Sequence, residues 1–431
     1  MSASFLLHYV LTYHDFVSAY AHVNEVYWKP VSFFSFFEFS FFSESLLDFF
    51  RIALICLLIL SVLGLFTRVS LIGVSIILTL YMGYEINFYK PKMFQAIFIF
   101  VFWILAFSRC SDKFSLDRRF FLRNKEVPIR SWVYGWPIRF VGSIMVYLYL
   151  SAGFLKVFHS GSYWFLSDNL AFIFVYLNQP LGIYIGHNFP LLCKILAFTV
   201  ISFELMWVVY FFRPKLSQWL LIPSLLLHLG SFYILGLVFL PFAFFHIFLF
   251  DWGNLLNKLK FKSFGAERVV VEKPYVKSKT FTVHCCVVIF LLGMFLTESL
   301  GHPNKPFNWP FVSFSMFASP YLIDNSDFSN VEVKMVLNGG KEVLPNSDFS
   351  RPFSTKHFRE IFNKLHRSGQ IEKIKIALLD AINRYKGDLN IEGVVIYKVQ
   401  WKDIDIESFS REQPSFATEV FRLNLKESGS L

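Results

Sequence analysis

Eight apolar runs, most of them about twenty residues long, constrain this chain more than any other feature. They cover 47–66, 69–87, 93–109, 134–157, 191–212, 218–234, 236–250 and 281–297. In hydrocarbon a backbone must satisfy its own N–H and C=O groups, which leaves only helices and closed barrels. The runs are long and do not alternate in polarity, so they predict helices. Run 236–250 is short and reads as tilted or partly inserted. A ninth segment, 4–23, carries His8, His14 and Asp15 and either spans or lies at the interface; the Phe-rich stretch 33–42 also suits the interface. Of the 431 residues 55% are hydrophobic and 56 are Phe, which excludes an ordinary soluble protein. The expected fold is a polytopic α-helical membrane protein with eight or nine transmembrane helices over residues 1–297 and a small C-terminal α/β domain over 298–431.

The formal net charge is +10. Loops 109–133 and 251–280 each hold seven Lys/Arg against three acids, and Arg213 and Lys215 close a third connection. Placed on the cytoplasmic side, these loops account for the excess without nucleic acid and leave 298–431 outside the cytoplasm. No basic region precedes FLLHYVL near the N-terminus and no clean small-residue cleavage site is present, so the first span is expected to serve insertion. Cys56, Cys110, Cys193, Cys285 and Cys286 lie in or beside apolar segments; neither a disulfide framework nor a metal site is expected. Segment 159–190 is an outer connection whose Tyr163, Trp164, Phe165, Tyr176 and Tyr184 suit either an interfacial helix or a packed loop. Gly301, Pro303, Pro306 and Pro310 mark a linker. Beyond it, 331–337 and 393–401 read as strands and 355–366 and 370–386 as helices.

Charges inside apolar runs are costly and mark candidate sites. Lys156 lies in YLYLSAGFLKVF, Glu204 in the fifth run, and His228 and His246 in later ones. An amine kept from water can act as a base, neutralise an anionic substrate, pair with an acid or snorkel to the headgroups. Glu204 is a functional carboxylate or a structural partner for Lys156, His228 or Arg213. His228, among small and hydroxyl residues, is favoured over His246 for proton transfer; a single interhelical hydrogen bond explains it equally. Ser151, Ala152 and Gly153 permit close approach of another helix or of a flat ligand.

The run SAGFLKVFHSGSYWFLSDNL (151–170) resembles the vitamin K-dependent gamma-carboxylase family, above all its bacterial branch, the horizontally transferred transmembrane domain proteins. FSLD (114–117), Glu204 with Phe212–Arg213–Pro214, His228 with Gly236 and Pro241–Phe242, and Trp309–Pro310 with Met316–Phe317 extend the likeness over about 20–320. The resemblance implies a bacterial plasma-membrane enzyme that uses a reduced quinone, vitamin K or menaquinone hydroquinone, with O2 and CO2. Lys156 matches the base, Glu204 and His228 would orient it or relay protons, and Ser151, Gly153 and Trp164 would line the quinone. Membrane lipids and a protein or peptide substrate at the outer face are the implied partners. The family's Asn-Asn-His motif has no histidine counterpart in NFYKPKMF (87–94), where Asn87 alone remains. The alternative is a non-enzymatic membrane protein that binds a lipid or partner protein through its outer domain. A transporter ranks third, because neither an inverted repeat nor a broken-helix pair is visible.

Overall fold

The computed structural model describes residues 20–30, 33–88, 96–112, 115–121, 132–177, 179–212, 219–236, 328–345, 347–350, 353, 355–385, 391–401 and 416–425, with Phe5, Leu249, Cys286 and Ile289. Nearly all of runs 4–23, 236–250 and 281–297 lie outside these residues. So do the basic segment 251–280, Arg213, Lys215, His246 and the linker to 327.

The described chain is mostly helical, with a small antiparallel sheet near its C-terminus. Its membrane part comprises α1 (Glu44–Leu63), α2 (Thr67–Ile86), α3 (Ala96–Phe107), α4 (Leu116–Phe120), α5 (Trp132–Ser160), α6 (Tyr163–Leu166), α7 (Asn169–Tyr176), α8 (Pro180–Asn188), α9 (Pro190–Met206) and α10 (Leu221–Leu235). Among the described residues α1, α2 and α5 are each long and apolar enough to cross a membrane; α8 and α9 together make a fourth candidate. Helices α3 and α10 are shorter apolar segments. Ile222, Leu226, Leu229 and Tyr233 of α10 leave one apolar stripe uncovered, as do Leu191, Ile195 and Phe198 of α9. Such outward stripes are what lipid solvation permits.

Helix α1 starts at Ser43, whose Oγ accepts from Leu46 N (3.3 Å), and ends at Gly64 with φ +67°. The next helix lacks a cap of its own. Asp117 supplies one from across the structure, accepting from Phe66 N (2.7 Å), Thr67 N (2.8 Å) and Thr67 Oγ1 (2.7 Å). Asp117, the last residue of FSLD, thus clamps the turn between α1 and α2 to the start of α4. Asn87 ends α2: its Nδ2 donates to Gly83 O (2.9 Å), and its carbonyl accepts from Lys29 N (2.8 Å).

The region 159–190, expected as an interfacial helix or packed loop, folds into α6, α7 and α8. All eight residues of α7 are buried, whereas Tyr184 of α8 is exposed. Gly186 of α8 abuts Ala171 O and Val175, and Gly182 abuts Ile234 O of α10; side chains there would collide. The chain then bends by 109° between α8 and α9. This corrects the reading that no broken pair exists. Pro190 has no N–H to continue α8, and Phe189 before it leaves the helical region (φ −134°, ψ 57°).

The C-terminal unit has sheet order β2-β1-β3-β4, with β1 Phe328–Leu337, β2 Glu342–Val343, β3 Ile391–Trp401 and β4 Phe416–Asn424. Register pairs Val333 with Ile396 and Met335 with Val394. These residues form an apolar face that shares a core with Phe358, Phe362, Ile374 and Leu378 of α11 (Thr355–Arg367) and α12 (Ile371–Arg384). On the opposite face Val399 and Tyr397 join Trp164 and α7 in a second cluster. Burial on both faces explains the unbroken apolar run of Val394, Val395 and Ile396. An N-terminal arm completes the docking. Tyr27 OH donates to Ala377 O, its ring meets Phe353 (5.1 Å), and Arg384 lies 5.9 Å from the ring centre.

Candidate functional site

Tyr149, Gly153 and Lys156 follow one another at helical spacing along a single stripe of α5. The helix ends at Ser160. Gly161, at φ +56°, takes the left-handed conformation that turns the chain back. That reversal brings Trp164 of α6 over the lysine, with its ring centre 5.4 Å from Nζ.

Lys156 Nζ lies 2.7 Å from Oε1 and 2.8 Å from Oε2 of Glu204 on α9. Both side chains are buried, 5% and 8% exposed. Burying two charges costs several kcal/mol each, and only direct contact with good geometry offsets it. The pair fixes the amine in position. Gly153 explains how α9 comes so close: a Cβ there would stand 2.9 Å from Glu204 Cβ and 3.3 Å from Leu205 Cδ2. Gly153 therefore makes a helix contact, the first of the two roles open to it, and the neighbouring helix takes up the space beside it. Ser151 is turned to its own helix, donating to Leu148 O (3.2 Å).

His228 belongs to a different cluster. Its Nε2 lies 2.7 Å from Tyr149 OH, and Ser224 Oγ, one turn away on α10, lies 3.1 Å from the same hydroxyl. Tyr149 stacks on Trp207 (4.9 Å, 6°) and meets Phe203 edge-on (5.5 Å, 77°). Tyr149 and Lys156 are seven residues apart, about 10 Å along the axis. The structure thus brings Lys156, Glu204, Trp164 and Gly153 together, while His228 sits with Tyr149 and Ser224. Sequence reasoning missed Tyr149 and Ser224. Their signal was periodic: each falls on the face of a singled-out residue, seven before Lys156 and four before His228.

The arrangement offers one buried amine–carboxylate pair beside an aromatic ring, able to receive a proton from a weakly acidic hydroxyl or to hold a bound anion. Among the described residues no group of three or more His, Cys, Asp or Glu side chains could hold a metal. In comparisons with known proteins, no family model, curated protein or solved structure matches the chain. The reading of the site rests on its own geometry and on the short motifs around it.

Proposed function

We propose that this chain is an integral membrane enzyme of the vitamin K-dependent gamma-carboxylase kind, with eight or nine spans in the bacterial plasma membrane and an extracytoplasmic outer domain. The observation that carries the reading is the buried Lys156–Glu204 pair beneath Trp164. An amine, a carboxylate and an aromatic ring suit a flat ring bearing a weakly acidic hydroxyl. A reduced lipid quinone, with O2 and CO2, supplies the strong base and the carboxyl group for a poorly acidic carbon of a protein or peptide substrate. The Lys156 ammonium first passes one proton to the Glu204 carboxylate in contact with it, and the free amine then takes the ring hydroxyl proton, leaving an ammonium beside a neutral Glu204 carboxyl. Trp164 covers the amine and keeps water from the site. His228 acts at Tyr149, away from the amine.

Purified protein in nanodiscs, given reduced vitamin K or menaquinone, oxygen and bicarbonate, tests this. Wild type is expected to form the quinone epoxide, read by mass spectrometry. Lys156→Ala is expected to form none while keeping its unfolding temperature within a few degrees. Equal turnover by the two proteins would end the assignment of Lys156 as base.

A second reading is supported by the mutual satisfaction of Lys156 and Glu204, which a structural ion pair also displays. On that reading the chain is a non-enzymatic membrane protein that engages a lipid or partner through its outer domain. It would then form no epoxide, and Lys156→Met would be tolerated once folded.

A further inference from the structure

The turn between α1 and α2 carries backbone strain. Phe66 is a non-glycine residue at φ +47°, a conformation that persists only when its surroundings enforce it. Asp117 enforces it through its three hydrogen bonds to Phe66 and Thr67, and Asp117 N donates to Gly64 O (2.8 Å). The clamp sets Phe66 outward beside Phe121 (5.7 Å), which neighbours Phe120 (6.5 Å). All three rings are more than half exposed. They stand at one end of the helix bundle, where α1 and α3 finish and α2 begins, and exposed Val69 and Phe107 continue the apolar surface.

Arg68 and Arg119 are exposed within the same stretch. The two acids described here are already engaged. Asp117 is held in the clamp, and Asp112 accepts from Tyr134 OH (2.5 Å) with Arg109 at 4.0 Å. The charge presented is therefore cationic, set among rings at the ends of α1 and α3 and the start of α2.

We propose that this end of the bundle is a docking surface for anionic phospholipid headgroups. Phe66, Phe120 and Phe121 enter the acyl boundary, and Arg68 and Arg119 meet the lipid phosphate. Charge complementarity selects this occupant: rings favour the interfacial zone, guanidinium forks match phosphate oxygens, and basic residues near a membrane gain from anionic lipid. Asp117 is the positioning residue, since it touches no lipid and holds the turn that presents the rings.

The test uses the full chain in nanodiscs of phosphatidylcholine with phosphatidylglycerol, and retained lipid is counted by native mass spectrometry. Wild type is expected to keep phosphatidylglycerol in preference to phosphatidylcholine, less so as salt rises. Arg68→Gln with Arg119→Gln should cut the preference by about fivefold per arginine, and Lys at both positions should restore most of it. Asp117→Asn should reduce the preference with every arginine still present. Phe66→Gly relieves the strain while removing the ring; it should fold and still lose enrichment. Arg422→Gln on the sheet should change nothing. An unaltered preference in the double arginine variant, or an equal loss in Arg422→Gln, would overturn the proposal. Competition by inorganic phosphate as strong as by lipid would also overturn it.

Discussion

Lys156 and Glu204 cannot be replaced one at a time without penalty. Glu204→Leu would leave a buried ammonium without its counter-charge, at a cost of about 3–5 kcal/mol. Lys156→Met combined with Glu204→Leu removes both charges and should recover most of that loss. Thermal unfolding in nanodiscs checks the pair of variants, and only the enzyme reading requires the stable double variant to be inactive. Gly153 is coupled to the same pair. Gly153→Val would push α9 away from α5 and cost about 1–3 kcal/mol, with Lys156 losing its partner as a consequence. Tyr149→Phe removes one hydroxyl from between Ser224 and His228. It should destabilise by about 1–3 kcal/mol and leave the Lys156–Glu204 contact intact.

At the scale of elements, the helix caps carry the clearest pH signature. Burial opposes the charge on Asp117, but hydrogen bonds from Thr67 and Phe66 outweigh it and hold the carboxyl below the usual carboxylate range. A depressed pKa contributes stability that is fully present above the unfolded value, about 3.9, and is lost as pH falls through the folded value. Asp117→Asn should therefore cost about 1 kcal/mol near neutrality and narrow its gap from wild type as the solution is acidified below pH 4, read from unfolding temperatures across pH. Most of these elements could be read in the sequence. The runs at 47–66, 69–87 and 134–157 became α1, α2 and α5, because a long apolar stretch without breakers has one backbone solution in lipid. Strands β1 and β3 followed from alternation and β-branched content. Helix α7 was illegible as a buried helix: eight apolar residues between Asp168 and Gln179 read equally well as an interfacial helix or a packed loop, and only the glycines of α8 let a second backbone cover them. Strand β4 was missed because ATEVFRLN mixes charge with apolar residues, as an edge strand does. In the site, Lys156 and Glu204 stood out as charges in apolar surroundings. Tyr149 carried no such contrast, because a tyrosine among aromatics looks like core until its hydroxyl finds a partner.

At the scale of the molecule, the C-terminal unit touches the helical part from two sides: Val399 and Tyr397 on α6 and α7, and Ala377, Phe353 and Arg384 on the arm. Tyr27→Ala should loosen the second contact. Amide exchange would rise across Ile374–Ala381 in α12 and stay unchanged in α2. The Tyr27–Ala377 bond also has a topological consequence. Two residues that touch lie on the same side of the bilayer, so the polypeptide between them must cross it an even number of times. An odd count would put the arm and the C-terminal unit in different compartments and make the bond impossible. The eight apolar runs from 47 to 297 satisfy that parity, and any revision of the spans must add or remove them in pairs. Cysteines placed at Glu25 and Gln370 in a cysteine-free background should both react with an impermeant maleimide from one side of the membrane, and neither from the other.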